Sequence, residues 1–429
     1  MTNAADHAGL GYAGLGCTRP GRAAFGEAIA DRLAELATIS DESDCLTRPY
    51  LGPAHRRAAE LVATWMREAG MTARLDSAAS VVGRYEAREG GKPTLLLGSH
   101  IDTVRNAGRF DGALGVVTAI EVLKAAFGAG KRFPFAVEVI AFGDEEGVRF
   151  ASTLGGARAL AGTFDNAALD EVGEDGVSRR QALIDFGCDP SRLPAEARSP
   201  TRVIGYVEVH IEQGPILENE GLPVGVVTAI DGMTRAIVEV DGVGGHAGTV
   251  PMPMRHDALA AAAEMLVAIE GRARARGGLV ATVGKIEVPG SAANTIPGHA
   301  RFTLDIRSPS DPERAEALGD IRALIAAVAQ RRGVTARLSV GHEVPAAACD
   351  DRLSDQLARA VETCGVTPRR LPSGAGHDAM AFDRIIPFAM LFVRCRGGVS
   401  HSPAEFAAPG DIDTAAHVLS TFLDRMGSQ

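Results

Sequence analysis

A chain of 429 residues is too long for one hydrophobic core, so two domains are the expectation. With 46% hydrophobic and 23% charged residues the composition is that of an ordinary globular protein, and a net charge of −10 argues against a nucleic-acid surface. No apolar run reaches the length of a membrane span, and the N-terminus lacks the charged-then-apolar order of a signal peptide. The six cysteines (Cys17, Cys45, Cys188, Cys349, Cys364, Cys395) are scattered without a CxxC pair, which points to reduced thiols in a cytoplasm. If a metal is bound, its ligands are therefore histidine and carboxylate.

The first two dozen residues are rich in Gly and Ala and are expected to form a loose extension. Helical spacing starts near Phe25 (Ile29, Leu33, Leu36, Ile39). From His55 to Ala69 the stripe Ala58, Val62, Trp65, Ala69 predicts an amphipathic helix with its only tryptophan in the core and Gly70 at its end. The run Leu95-Leu-Leu-Gly-Ser-His100 reads as a central strand of a parallel sheet, followed by a glycine-broken loop and Asp111 at the start of the next helical pattern. Sites in open α/β sheets form at the carboxyl ends of strands, where His100, Asp102 and Asp111 fall. Asp102 is placed to accept the second imidazole N–H of His100.

Two more apolar strands end in the same way. Phe135–Phe142 runs into Gly143-Asp-Glu-Glu-Gly147, and Gly205–Ile211 delivers His210, Glu212 and Gln213. The Pro- and Gly-punctuated stretch between them, Gly162–Arg202, is expected at the periphery. Near Ile230 the texture changes: strand Arg235–Val240, helix Arg255–Arg272, strands Leu279–Val288 and Ala300–Ile306, helix Pro312–Gln330 and strand Thr335–Val340. That β-α-β-β-α-β order predicts an inserted ferredoxin-like unit. The expected fold is thus α/β: a catalytic domain over 1–229 and 343–429, with a mixed, mainly parallel sheet flanked by helices, and an inserted α+β lid or dimerisation domain over 230–342. The β/α texture resumes with the apolar strand Ile386–Val393, and His401 lies just beyond it.

Taken singly, each of these polar residues has a plain structural explanation. A lone His210 on a strand is more often a hydrogen-bonded core histidine, Glu145–Glu146 more often surface charge, and Arg307 as readily a salt bridge at a strand end. Five metal-competent residues at successive strand ends are another matter.

As a set, the segments resemble the dinuclear metallopeptidase and amidohydrolase family that includes aminoacylases, aminopeptidases and N-carbamoyl amino-acid hydrolases. Asp144-Glu-Glu-Gly-Val-Arg-Phe150, Val209-His-Ile-Glu-Gln-Gly-Pro215 and Ser373-Gly-Ala-Gly-His-Asp-Ala379 look most like its carbamoylase and allantoate amidohydrolase branch. The resemblance implies two divalent metal ions per subunit, with manganese or zinc, or cobalt, all suited to such ligands. Asp111 would bridge them, His100 and His210 completing one site, Glu146 and His401 the other. Glu145 would be the general base, with neighbouring side chains in extended backbone pointing opposite ways.

By the same resemblance His246, in Gly242-Val-Gly-Gly-His246, and Asn294 would hold the developing oxyanion, His246 reaching the cleft of a partner subunit in a homodimer. Arg307 would grip a substrate carboxylate. Gln213 and the stretch Gly374, Gly376, His377 would line the rest of the pocket. The implied reaction is hydrolysis of a ureido C–N bond in a small carboxylate-bearing ureide, allantoate being expected, with ureidoglycine, ammonia and carbon dioxide as products. N-carbamoyl-L-amino acids (or β-ureidopropionate) are the alternative substrates, and a dinuclear aminopeptidase or aminoacylase the more distant one. Neither a nucleic-acid nor a membrane partner is expected.

Overall fold

The computed structural model describes residues 24–428, so the N-terminal extension and Cys17 lie outside the described residues. The chain divides into two compact units: one is built from the chain up to Thr228, Cys349–Leu371 and the chain from His377, the other from Ala229–Ala348 and Pro372–Gly376.

In the first unit the strand Thr94–His100 is buried along its whole length, as the apolar run Leu95–Leu97 at its centre requires of a strand covered on both faces. It pairs in parallel with Ala136–Phe142 on one side and Val203–Ile211 on the other, and Val203–Ile211 pairs in parallel with Phe388–Val393. The antiparallel strands Thr72–Leu75 and Val81–Tyr85 extend one edge, and Val224–Ile230 joins the other antiparallel to Phe388–Val393. The centre is thus parallel and the edges antiparallel.

Side chains alternate across this sheet. Leu95, Leu97, Val137, Val139, Ala141, Val207, Val209, Ile211, Leu391 and Val393 face one way, into a core shared with the helices Gly26–Ala37, Pro53–Glu68, Ala113–Gly128, Asp351–Thr363 and Pro409–Met426. Trp65 is buried there under the guanidinium of Arg32, 4.7 Å from the ring centroid, and Gly70 follows its helix with φ +77° as the end of a helix favours. The alternate set turns to the opposite face, where Phe142 and Tyr206 meet Phe382 at 6.5 and 4.5 Å between ring centres. His100, Glu208 and His210 belong to that second set. Leu97 is in register with Val207, and His100 and His210 are each three residues further on, so the two imidazoles emerge at one level on one face.

The second unit is an antiparallel sheet in the order Ile286–Glu287, His299–Ser308, Gly232–Asp241, Thr335–Val344, with Val280–Thr282 also on His299–Ser308. The helices Ala258–Arg274 and Asp311–Arg332 cover one face, packing Ala261, Met265, Ile269, Ile321 and Ile325 on Ala236, Val238, Phe302, Leu304 and Ile306. Asp257 and Ser310 cap these helices, their side chains accepting the N–H of Ala260 and Glu313. The other face carries the ion pairs Arg235–Asp305 and Arg337–Glu239. Its longer elements follow one another as β-α-β-β-α-β, with the two-residue strands Gly245–His246, Ile286–Glu287 and Thr295–Ile296 between them and Ala347–Ala348 after them.

Among the described residues no helix is long and apolar enough to cross a membrane. The Gly162–Arg202 stretch departs from the peripheral placement expected of it. Arg179 and Glu196 are buried, the first against Asp144 and the second accepting hydrogen bonds from Arg74 and Ser77. Polar composition located the loops but not the two charged side chains they send inward.

Candidate active site

Three strand ends and two loops converge on the carboxylate of Asp111. His210 Nε2 lies 3.1 Å and His100 Nε2 3.5 Å from Asp111 Oδ1, while His401 Nε2 lies 3.4 Å from Asp111 Oδ2 and 3.4 Å from Glu146 Oε2. Two triads result, His100–Asp111–His210 and Asp111–Glu146–His401, each with its donor atoms within 4.8 Å of one another and with Asp111 common to both. A carboxylate facing imidazoles from both of its oxygens is the donor arrangement of a pair of divalent cations. The structure therefore brings together all five residues expected as ligands.

The shell around them is ordered. The Nδ1 of His100 is 3.1 Å from the backbone carbonyl oxygen of Asp102, and that of His210 is 2.9 Å from the carbonyl of Ile211. Those partners place the ring proton on Nδ1, so each Nε2 carries the lone pair a cation would take, that of His210 accepting the N–H of Gly112 at 3.3 Å. The Asp102 carboxylate stands 3.6 Å from the His100 ring, and its two oxygens accept the N–H groups of Glu145 and Glu146 at 3.3 and 3.2 Å. Gln213 Nε2 donates to Asp111 Oδ2 at 2.8 Å.

Two residues that the sequence did not single out complete the cradle. Ser400 Oγ donates to Asp111 Oδ2 at 2.6 Å, and Glu405 Oε1 accepts the N–H groups of Phe110 and Asp111 at 2.8 and 3.0 Å. The only sequence signal for this was the glycine punctuation of the Asp111 loop. A Cβ on Gly112 would stand 2.4 Å from His100 Nε2, and its φ of +62° is one that glycine adopts freely.

Glu145 and Glu146 do not project to opposite sides, as extended backbone would have made them. Asp144 takes a left-handed φ of +72°, the strand ends there, and both glutamates face His100, Glu145 Oε2 standing 3.9 Å from its Nε2. Burial pushes Glu145 up to about 8 and Glu146 up to about 9, only partly offset by His100. Carboxyls raised so far keep their protons at neutral pH, and a divalent cation beside them would be needed to ionise them. Burial also opposes ionisation of Asp111, but the hydrogen bonds and charges of His100 and His210 outweigh it and hold the carboxyl well below its usual range. Three imidazoles, two raised glutamates and one strongly ionised aspartate fit divalent cations.

Beside His210 lies a further group of buried side chains. His377 packs edge-on against its ring at 4.5 Å, and Glu208 accepts from Ser99 Oγ, Tyr206 OH and Ala379 N. Of the other expected pocket residues, His246, Asn294, Arg307, Gly374 and Gly376 belong to the second unit. His246 pairs with Thr295 in a short ribbon, and Ala247 N donates to the carbonyl of Asn294 at 2.9 Å, so the exposed His246 and Asn294 are neighbours. Arg307 is held by Asp305 at 2.8 and 3.2 Å and donates from Nη1 to the carbonyl of Gly374 at 2.6 Å.

A parallel-centred α/β sheet that gathers imidazoles and carboxylates at its strand ends defines a metal-dependent hydrolase. The family model described as Peptidase family M20/M25/M40 matches residues 96–425, and the chain belongs to that family. It is 41% identical to an allantoate deiminase of Arabidopsis thaliana, over 93% of this chain and 82% of that one. It is 40% identical to an N-carbamoyl-L-amino acid amidohydrolase of Geobacillus stearothermophilus, over 92% of this chain and 97% of that one. Among solved structures, an amidase of the hydantoinase/carbamoylase family from Burkholderia multivorans superimposes with a TM-score of 0.88 at 32% identity, over 93% of this chain and 97% of that one. The chain is a metal-dependent amidohydrolase.

Proposed function

We propose that this enzyme hydrolyses a ureido C–N bond, with allantoate as its substrate and N-carbamoyl-L-amino acids as the competing class. The observation that carries the reading is the sharing of Asp111 between two histidine-containing triads, with Glu145 beside them. The choice of ureide is supported by the relatives named above, one an allantoate deiminase and one an N-carbamoyl-L-amino acid amidohydrolase.

In this reading His100, Asp111 and His210 hold one divalent cation, and Asp111, Glu146 and His401 a second, the pair being manganese, zinc or cobalt. When bound, they polarise the substrate carbonyl and acidify water. Glu145 takes the proton of the attacking water and later delivers it to the leaving nitrogen, releasing ammonia and a carbamate, which then loses carbon dioxide to leave ureidoglycine. Asp102 holds the backbone of Glu145 and Glu146 through its two oxygens. Gln213, anchored on Asp111, and His377 line the substrate side.

From the second unit, His246 and Asn294 hold the oxyanion, and the stretch Gly374–Gly376 borders the substrate. Asp305 fixes one edge of Arg307, and the remaining guanidinium N–H groups meet the substrate carboxylate. This unit, with its helix layer and open sheet edge, serves as lid and as the surface of a homodimer, in a cytoplasmic enzyme. The test is ammonia release by metal-loaded enzyme from allantoate, from an N-carbamoyl-L-amino acid and from a dipeptide. The expected kcat/KM is highest for allantoate. A higher value for the carbamoyl amino acid replaces the substrate, and one for the dipeptide overturns the reading.

A further inference from the structure

The stretch that sequence placed at the periphery sends one side chain beneath the catalytic loop. Arg179 opens the short helix Arg179–Asp185 and is 1% exposed. Its Nη1 pairs with the carboxylate of Asp144, itself fully buried, and its Nη2 donates to Ser152 O at 2.8 Å, Ser152 Oγ at 3.0 Å and Glu171 Oε2 at 3.1 Å. The guanidinium also lies over the Phe150 ring, 4.5 Å from its centre. Every one of these partners except Glu171 belongs to the loop that follows the strand Ala136–Phe142.

Asp144 is the residue that turns this loop. Its φ of +72° lies in the left-handed region, which aspartate enters more readily than most residues with a Cβ but still at a cost, and Glu145 and Glu146 come directly after it. Its own carbonyl accepts the N–H of Leu154 at 2.6 Å, closing the loop on itself. The next two peptide N–H groups donate to the two oxygens of Asp102. The backbone of the two glutamates is thus clamped between the Asp102 carboxylate and the Arg179–Asp144 pair. The chain also makes room for that pair: a Cβ on Gly155 would come within 2.8 Å of Asp144 Oδ2 and 3.0 Å of Arg179 Nη1. A buried ion pair is poor value as a source of stability against apolar packing of the same volume, which makes its place beside the reacting groups informative.

We infer that Arg179 is a positioning residue for the reaction, fixing through Asp144 the left-handed turn that aims Glu145 and Glu146. The inference rests on the reading of Glu145 as the base and Glu146 as a cation ligand. Arg179 would act through Asp144 and not on substrate or cation directly.

The test compares Arg179→Met, Arg179→Lys, Asp144→Asn and Gly155→Ala with the parent and with Glu145→Gln, all loaded with manganese and assayed for ammonia release from the best ureide. Arg179→Met and Asp144→Asn should lower kcat by tenfold or more with KM moved less than threefold, and should weaken binding of the second equivalent of manganese in a titration. Arg179→Lys should recover most of the lost kcat, and Gly155→Ala, which keeps both charges but crowds them, should fall between. If kcat per folded, manganese-loaded molecule stays at the parent value while only the melting temperature drops, the positioning role is wrong. Should Arg179→Met and Asp144→Asn not fold, Gly155→Ala decides by the same criterion. Retained activity in Glu145→Gln would instead overturn the underlying reading of the base.

Discussion

His100 and His210 stand level on neighbouring parallel strands, their rings 5.7 Å apart, and both direct Nε2 at the same oxygen of Asp111. That relationship follows from register: with Leu97 opposite Val207, the third residue beyond each lies on the face away from the helical core. The Asp111 carboxylate then joins this pair to Glu146 and His401 through its other oxygen.

Replacing Asp111 should therefore empty both triads together. Asp111→Asn removes the charge that both share while keeping the shape, and the expected outcome is loss of more than half of the bound metal and a fall in kcat of at least about a hundredfold. Elemental analysis of the purified variant after dialysis, alongside ammonia release, checks this. Metal content at the parent level would remove Asp111 from the ligand set.

Glu145→Gln separates proton transfer from metal binding. Glutamine retains the size and the backbone held by Asp102 but takes up no proton, so kcat should drop by about 10²–10⁴-fold. Both metal equivalents should remain, because Glu145 is outside the two triads that share Asp111. Parallel loss of metal and activity would make it a ligand instead.

Gly112→Ala tests the fit of the Asp111 loop. The added methyl would meet His100 Nε2 at 2.4 Å, and the backbone φ of +62° disfavours any side chain. Destabilisation of about 1–3 kcal/mol is expected from the backbone alone, measured by urea unfolding of the metal-free protein. Displacement of His100 should in addition lower metal affinity by tenfold or more, read by competition with a chelator.

His246→Ala bears on the second unit. Losing one oxyanion donor costs about 2.7–4 kcal/mol of barrier, so kcat should fall about a hundredfold or more with metal content unchanged. Near-full activity would remove His246 from the reaction.

The sheet was legible because its strands carry their own signature. Leu95–Leu97 is apolar without a break and Ala136–Phe142 apolar but for Glu138, both strands are buried along their length, and the alternation of Phe302, Leu304 and Ile306 marks a strand covered on one face only. Asp111 and the four residues around it were legible because each ends or follows such a strand or opens the next helix. What could not be read were contacts made across long separations in sequence. Glu405 reaches the Asp111 loop from 294 residues away, and no local pattern marks it. The direction of Glu145 and Glu146 is hidden for a related reason: the left-handed Asp144 before them is paired with Arg179, which is distant in sequence. Local spacing shows where a strand stops; it does not show what bends the chain afterwards.

His55 makes stability depend on pH. It is fully buried, its Nδ1 accepting the N–H of Leu51 at 3.2 Å and its ring stacked on Phe186 at 5.1 Å, while Nε2 has no hydrogen-bond partner among the described residues. Burial pushes its pKa down to about 4, with the Asp102 charge opposing and Arg48 adding. Between about pH 6.5, where histidine titrates in an unfolded chain, and the folded value of about 4, the unfolded state holds a proton that the folded state refuses. Stability from this residue is therefore complete above the unfolded value and is lost as pH falls toward the folded one, at up to about 1.4 kcal/mol per pH unit. Asp76, pushed up to about 7 by burial, contributes a slope of opposite sign over an overlapping range. The difference between parent and His55→Asn, rather than the parent curve, isolates the histidine. Asparagine keeps an acceptor for Leu51 N but does not titrate, so its deficit in urea unfolding free energy should shrink steadily from pH 7 to pH 4.5. A deficit constant across that range would show that His55 is protonated alike in both states.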